Sequence, residues 1–116
     1  MQERRLNVRV VPTGDYGIGI EYGEGLVKLR LSVLDAAVGG VALQLSEQVI
    51  ELGVGTELRV GVTLPNFERF ETVGVIRYTQ AKVGGRCGVH FNKLTDEQQG
   101  ALSRTVSELL ERGHSA

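Results

Sequence analysis

Apolar and polar residues alternate with a period of two through most of this chain, and the period changes once, near its end. Such alternation sends successive side chains to opposite faces and marks half-buried β-strands. Ile18, Ile20 and Tyr22 share a face with glycines between them. The longest run covers residues 26–34, where Leu29, Leu31 and Val33 oppose Lys28, Arg30 and Ser32. Val41, Leu43 and Leu45 repeat the pattern, as do Leu58, Val60, Val62 and Leu64. Residues 70–78 form a further strand, residues 81–85 a hairpin loop, and Cys87, Val89 and Phe91 one face of the last strand. Residues 8–11 are a short β-branched run that Pro12 stops. Residues 46–55 fit either a turn of helix or a loop. Beyond Leu94 the spacing becomes helical. Leu102, Val106, Leu109 and Leu110 make one apolar face, and Thr95 with Gln98 makes a capping-box pair. Arg112 sits where the helix dipole favours a cation, and Gly113 follows as a stop. The spacing predicts a helix over residues 95–112.

Glycine supplies 16 of the 116 residues, about twice the usual share of roughly 7%. With only two prolines and little aromatic content, that density suits tight turns between short strands. The expected fold is all-β with a C-terminal helix: six antiparallel strands in a small barrel whose open end or seam the helix covers. One domain is expected over residues 1–116, with a flexible N-terminal arm over residues 1–9. Residues 2–7 offer little apolar surface against the entropy lost on ordering, so the arm is expected to order with a ligand.

Charge and special residues exclude several function classes. Thirteen Lys and Arg against 14 Asp and Glu leave a formal charge of −1, which speaks against binding long nucleic acid by charge. No apolar run is long enough to span a bilayer and no secretory h-region follows the N-terminus, so membrane insertion is not expected and a cytoplasmic location is. The one cysteine, Cys87, excludes an internal disulfide and a multi-thiolate metal site, and its place on an apolar face reads as an inert buried thiol. His90 reads as solvent-facing within a strand and His114 as part of a tail, neither beside further ligand types at a metal spacing. The Gly17, Gly19, Gly23 cluster lacks the spacing of a phosphate loop. No nucleophile–base pair emerges, so the chain is not expected to be an enzyme, and neither a metal nor a cofactor is called for.

Two clusters stand out. Arg4, Arg5 and Arg9 gather at the mouth of the first strand. A guanidinium presents a planar fork of donors that fits a phosphate or the O6/N7 edge of guanine. Asp35, Ala36, Ala37, Val38, Gly39 and Gly40 then reverse the chain, with a carboxylate able to cap its own turn or to accept from the N1 and N2 donors of a guanine. Taken singly, the first cluster also fits a solvated basic terminus and the second a turn-capping aspartate.

Taken together and in order, the clusters resemble the PilZ domain family. Arg5 and Arg9 match its RxxxR motif, and Asp35, Ala37 and Gly40 match its (D/N)xSxxG motif. Gly55-Thr56-Glu57-Leu58, the strand ending at Leu64-Pro65, and Gly88-Val89-His90-Phe91 before a terminal helix extend the likeness along most of the chain. The resemblance implies a six-stranded barrel with a C-terminal helix and a receptor for cyclic di-guanosine monophosphate (cyclic di-GMP). It implies Arg5 and Arg9 as phosphate and guanine anchors, Asp35 as a base contact and Gly40 as a backbone turn beside the ligand, with Arg4 adding charge. Ala37 departs from the motif's serine, which removes one hydrogen-bond partner, worth about 0.5–1.5 kcal/mol or roughly tenfold in affinity. The function implied is bacterial second-messenger signalling, in motility or biofilm control, through a protein partner. The alternative is a PilZ-like interaction module with a degenerate site that does not bind the nucleotide.

Overall fold

The computed structural model describes residues 8–23, 29–46, 53–80 and 82–115. In chain order it contains β1 (Gly19–Tyr22), β2 (Leu29–Leu31), β3 (Val33–Ala37), β4 (Gly40–Gln44), β5 (Glu57–Thr63), β6 (Phe70–Thr79), β7 (Arg86–Phe91) and α1 (Asp96–Glu111). The strands form one sheet in the order β2-β1-β5-β6-β7-β4-β3, antiparallel throughout. β2 and β3 stand at opposite ends of that order, yet only Ser32 separates them in sequence. The sheet therefore curls until its two ends meet at one bent strand, a nearly closed barrel.

The long alternation centred on Leu31 thus serves two partners. β2 pairs with β1, and β3 pairs with β4. Counting the bent strand as two gives seven strands among the described residues instead of six. Residues 8–11 add no further strand. Val10 exchanges backbone hydrogen bonds with Ala36 at 2.8 Å in both directions. Val11 then gives its N–H to the carbonyl of His114 at 2.7 Å, so this ladder ends after one bridge. The short segment still matters, because with the tail residue Ser115 it covers the outer edge of β3. Val10 is fully buried.

The barrel interior follows the alternation read from the sequence. Ile20, Leu31, Val41, Leu43, Leu58, Val60, Val62, Ile76, Val89 and Phe91 pack with Ala101, Leu102, Val106 and Leu109 of α1 into one core. Thr95 caps the helix with a full capping box: its hydroxyl accepts from the Gln98 N–H at 3.1 Å, and the Gln98 side chain accepts from the Thr95 N–H at 3.0 Å. Removing that cap by Thr95→Ala is expected to cost about 1 kcal/mol, measurable by urea unfolding as a lower midpoint at an unchanged slope. Two details of the helix differ from the periodic reading. Leu110 is exposed, and Thr105 takes the buried place, its hydroxyl donating to the Ala101 carbonyl at 2.9 Å. Arg112 is the C-cap residue, and its guanidinium carbon lies 4.2 Å from the centre of the Tyr16 ring, a cation–π contact beside any dipole effect.

Candidate ligand site

Two β-bulges build the site. On β3, strict alternation from Leu29, Leu31 and Val33 aims Asp35 into the barrel. A register shift between Val33 and Asp35 prevents this: Val33 stays opposite the core residue Leu43, but Asp35 falls opposite Ala42 on the outer face. On β6 a second shift, between Ile76 and Tyr78, does the same. Ile76 remains inside opposite Val89, and Tyr78 turns outward opposite Gly88. Bulges re-aim side chains in this way without breaking the sheet. Asp35, Ala42, Gly88 and Tyr78 then lie in register across β3, β4, β7 and β6. One step along, Ala37, Gly40 and His90 form the neighbouring row.

Small residues make the floor of this face and larger ones its walls. A cleft of about 360 Å³ is lined by Arg9, Ala37, Gly40, Arg77, Tyr78 and His90, among others. The turn at Val38 and Gly39 forms one wall and is pinned from two sides. Gln99 of α1 donates its side-chain amide to the Val38 carbonyl at 2.6 Å, and the Phe91 N–H donates to the Gly39 carbonyl at 2.9 Å. At Gly40 the need for glycine is one of close approach. A Cβ there would collide with the Val89 carbonyl oxygen and meet His90 Cα at 3.0 Å. Its φ is not among the positive ones, so the turn itself does not demand a glycine at this position.

The charged groups form one cluster. Arg9 Nε donates to Asp35 Oδ1 at 2.5 Å, and Arg86 Nη2 donates to Asp35 Oδ2. The Asp35 side chain is 8% exposed, whereas those of Arg9 and Arg86 are 40% and 41% exposed. Asp35 therefore does not cap its own turn; it sits within β3 and serves two arginines. Asp35, and after it the Tyr78 hydroxyl, hydrogen-bond the Arg86 guanidinium and push its pKa above the usual arginine value. Arg77 lines the same cleft and has no ion-pair partner among the described residues. Two guanidinium groups thus hold one carboxylate and a third, that of Arg77, lines the cleft, an excess of positive charge in a chain whose formal charge is −1. Cys87, on the inner face, has its thiol pKa pushed up by burial and stays protonated, in keeping with an inert thiol. No group of three or more metal-ligating side chains occurs among the described residues.

The fold brings Arg9, Asp35, Ala37 and Gly40 to one face although 31 positions separate the first from the last. Arg4 and Arg5, with most of the predicted arm, lie outside the described residues. Sequence reading did not single out Arg77, Tyr78 or Arg86. Arg86 reaches Asp35 only because β4 lies between β3 and β7, and no local spacing carries that information. A second cleft, of about 480 Å³, includes Arg30, Ser32 and Thr63 and shares no residue with the first.

The sequence matches the profile of the PilZ domain over residues 3–108. The chain belongs to the PilZ domain family. Among solved structures, the PilZ domain of YcgR from Escherichia coli with c-di-GMP superposes with a TM-score of 0.68 and 14% identity, over 94% of this chain and 94% of that one. The Bacillus subtilis inhibitor of motility, MotI/DgrA, gives 0.68 and 20% identity over 90% of this chain and 51% of its own. The K. pneumonia MrkH–c-di-GMP complex gives 0.70 and 12% identity over 92% of this chain and 52% of its own. This chain therefore spans about half the length of MotI/DgrA and MrkH. At these identities the likeness is one of fold. Among curated proteins, none matches this sequence.

Proposed function

We propose that this PilZ module is a cyclic di-GMP receptor or adaptor that acts through a protein partner, is not an enzyme, and works in the cytoplasm. The observation that carries the reading is the meeting of both motifs at one cleft. Arg9 from the first motif pairs with Asp35 of the second, while Ala37 and Gly40 line the floor beside them. The ligand is a dianion with two flat bases. Exposed guanidinium forks suit its phosphates, and a floor of small residues lets a base approach the sheet. Binding exchanges one acceptor for another: a ligand phosphate takes the Arg9 fork, with Arg5 of the same motif as the second anchor. The PilZ domain of YcgR and MrkH, both solved with c-di-GMP, share this fold. No described helix is long and apolar enough to cross a membrane.

Titration calorimetry with cyclic di-GMP, GTP and the linear dinucleotide tests the reading. Saturable heat for the cyclic dinucleotide in preference to the other two is expected. One feature favours the alternative, an interaction module with a degenerate site: Ala37 supplies no hydroxyl, and both Asp35 oxygens are already taken. Flat heats at high micromolar ligand on folded protein would establish that alternative.

Ala37 offers a sharper test because, although nearly buried, it lines the cleft. Ala37→Ser is expected to tighten cyclic di-GMP binding by about tenfold, since it adds a donor beside Arg9. Unchanged or weaker affinity of the serine variant would mean that the ligand does not pass over this position.

A further inference from the structure

We propose that Arg86, which belongs to neither sequence motif, is a positioning residue that keeps Asp35 ion-paired and in place when Arg9 is withdrawn from it. The inference rests on the reading of this cleft as a cyclic di-GMP site. The two oxygens of Asp35 are divided between the two arginines, Oδ1 to Arg9 and Oδ2 to Arg86. With its side chain 8% exposed, this carboxylate needs a counter-charge at all times. Were Arg9 its sole partner, a ligand that took Arg9 would leave a buried, unpaired anion, and the exchange would gain little. Arg86 removes that penalty.

The backbone shows which arginine can leave. Arg86 is fixed at the base of the β6–β7 hairpin: its N–H donates to Gln80 Oε1 at 2.8 Å, and its carbonyl accepts from the Gln80 N–H at 2.9 Å. On its other side it is in register with Gln44 of β4. Its side chain reaches over β4 to Asp35 and also meets the Tyr78 hydroxyl. Arg9 stands outside the named strands, beside Val10, whose backbone bridges Ala36 of β3 on one side and Ser115 of the tail on the other. The exchangeable partner is therefore on the short segment beside the sheet, and the permanent one is on a barrel strand.

Two measurements on the full chain decide the matter. The first needs no ligand: thermal melting of Arg9→Ala, Arg86→Ala, the double variant, and the double variant with Asp35→Asn. Each single substitution is expected to lower the midpoint by only a few degrees, because the other arginine still serves Asp35. The double variant should lose more than the sum, and Asp35→Asn should restore most of that loss, because a neutral amide needs no counter-charge. Additive losses that Asp35→Asn does not relieve would overturn the inference.

The second measurement is cyclic di-GMP affinity of the wild type, Arg86→Gln, Asp35→Asn and the Asp35→Asn, Arg86→Gln pair. Arg86→Gln alone is expected to weaken binding by about tenfold. In the Asp35→Asn background the same change should have little effect, and Arg86→Lys should keep most of the wild-type affinity. Equal losses in both backgrounds would mean that Arg86 acts on the ligand directly, and would overturn the positioning role. A wild type that binds no cyclic di-GMP would refute the ligand reading alone; the melting series then decides by itself whether Arg86 holds Asp35.

Discussion

Arg9→Ala is expected to lower affinity for cyclic di-GMP by about 10–100-fold, since a charge-assisted hydrogen bond to an anion contributes about 1.5–3 kcal/mol. Arg9 is the motif arginine whose place is described: it lines the cleft, and its Nε lies 2.5 Å from Asp35 Oδ1. Stability without ligand should fall by no more than about 1 kcal/mol, because the Arg9 side chain is 40% exposed and solvent screens the pair. Arg5→Ala should act in the same direction but no more strongly. Calorimetry and thermal melting on both variants separate these effects. Wild-type affinity in Arg9→Ala would mean that the nucleotide sits elsewhere.

The second large effect is on the fold. Gly40→Ala is expected to destabilise the domain by about 1–3 kcal/mol, the range for overpacking a closely packed site. The obstruction is backbone, not a side chain that can turn away. The new Cβ would strike the Val89 carbonyl oxygen, with His90 Cα 3.0 Å away. Relief requires β4 and β7 to part, and with them the register that holds Ala42 over Gly88 and Gly40 over His90. Melting should drop by roughly 4–8 °C for each kcal/mol in a domain near this size. Gly39→Ala is the control, since a Cβ there comes no nearer than 3.5 Å to the His90 ring. Equal melting points for the two variants would contradict the close-approach account.

The barrel was legible because burial writes itself into alternation. Val41, Leu43, Val60, Val62, Val89 and Phe91 fall inside as their spacing requires, and Thr95 with Gln98 caps the helix. The motif residues were legible as types: an arginine and an aspartate whose chemistry suits phosphate and guanine. Their contact was not. Asp35 reads as part of a turn because it follows a long alternation and precedes two glycines, yet the bulge extends β3 through it and rotates it outward. An inserted residue of that kind leaves no mark in hydrophobic period, since Leu34 is apolar in either arrangement. Tyr78 is hidden in the same way by the bulge on β6. Arg86 is hidden by topology: 51 residues separate it from Asp35, and only the β3-β4-β7 order brings the two together. The split of the long strand at Ser32 also follows from barrel closure, a property of the whole sheet that no window of sequence contains.

A cyclic dinucleotide is expected to occupy the cleft between Arg9 and the outer face of β4, β6 and β7. Heteronuclear NMR of labelled protein, including the arginine Nε–Hε signals, tests it most directly. On addition of cyclic di-GMP, the largest shifts are predicted for the Arg9 side chain and for the amides of Ala37, Gly39, Gly40, Tyr78, Gly88 and His90. The signals of Gly17, Gly19 and Thr63 at the second cleft should stay in place. An unchanged spectrum at saturating ligand, or shifts confined to the second cleft, would exclude the nucleotide from this face of the barrel.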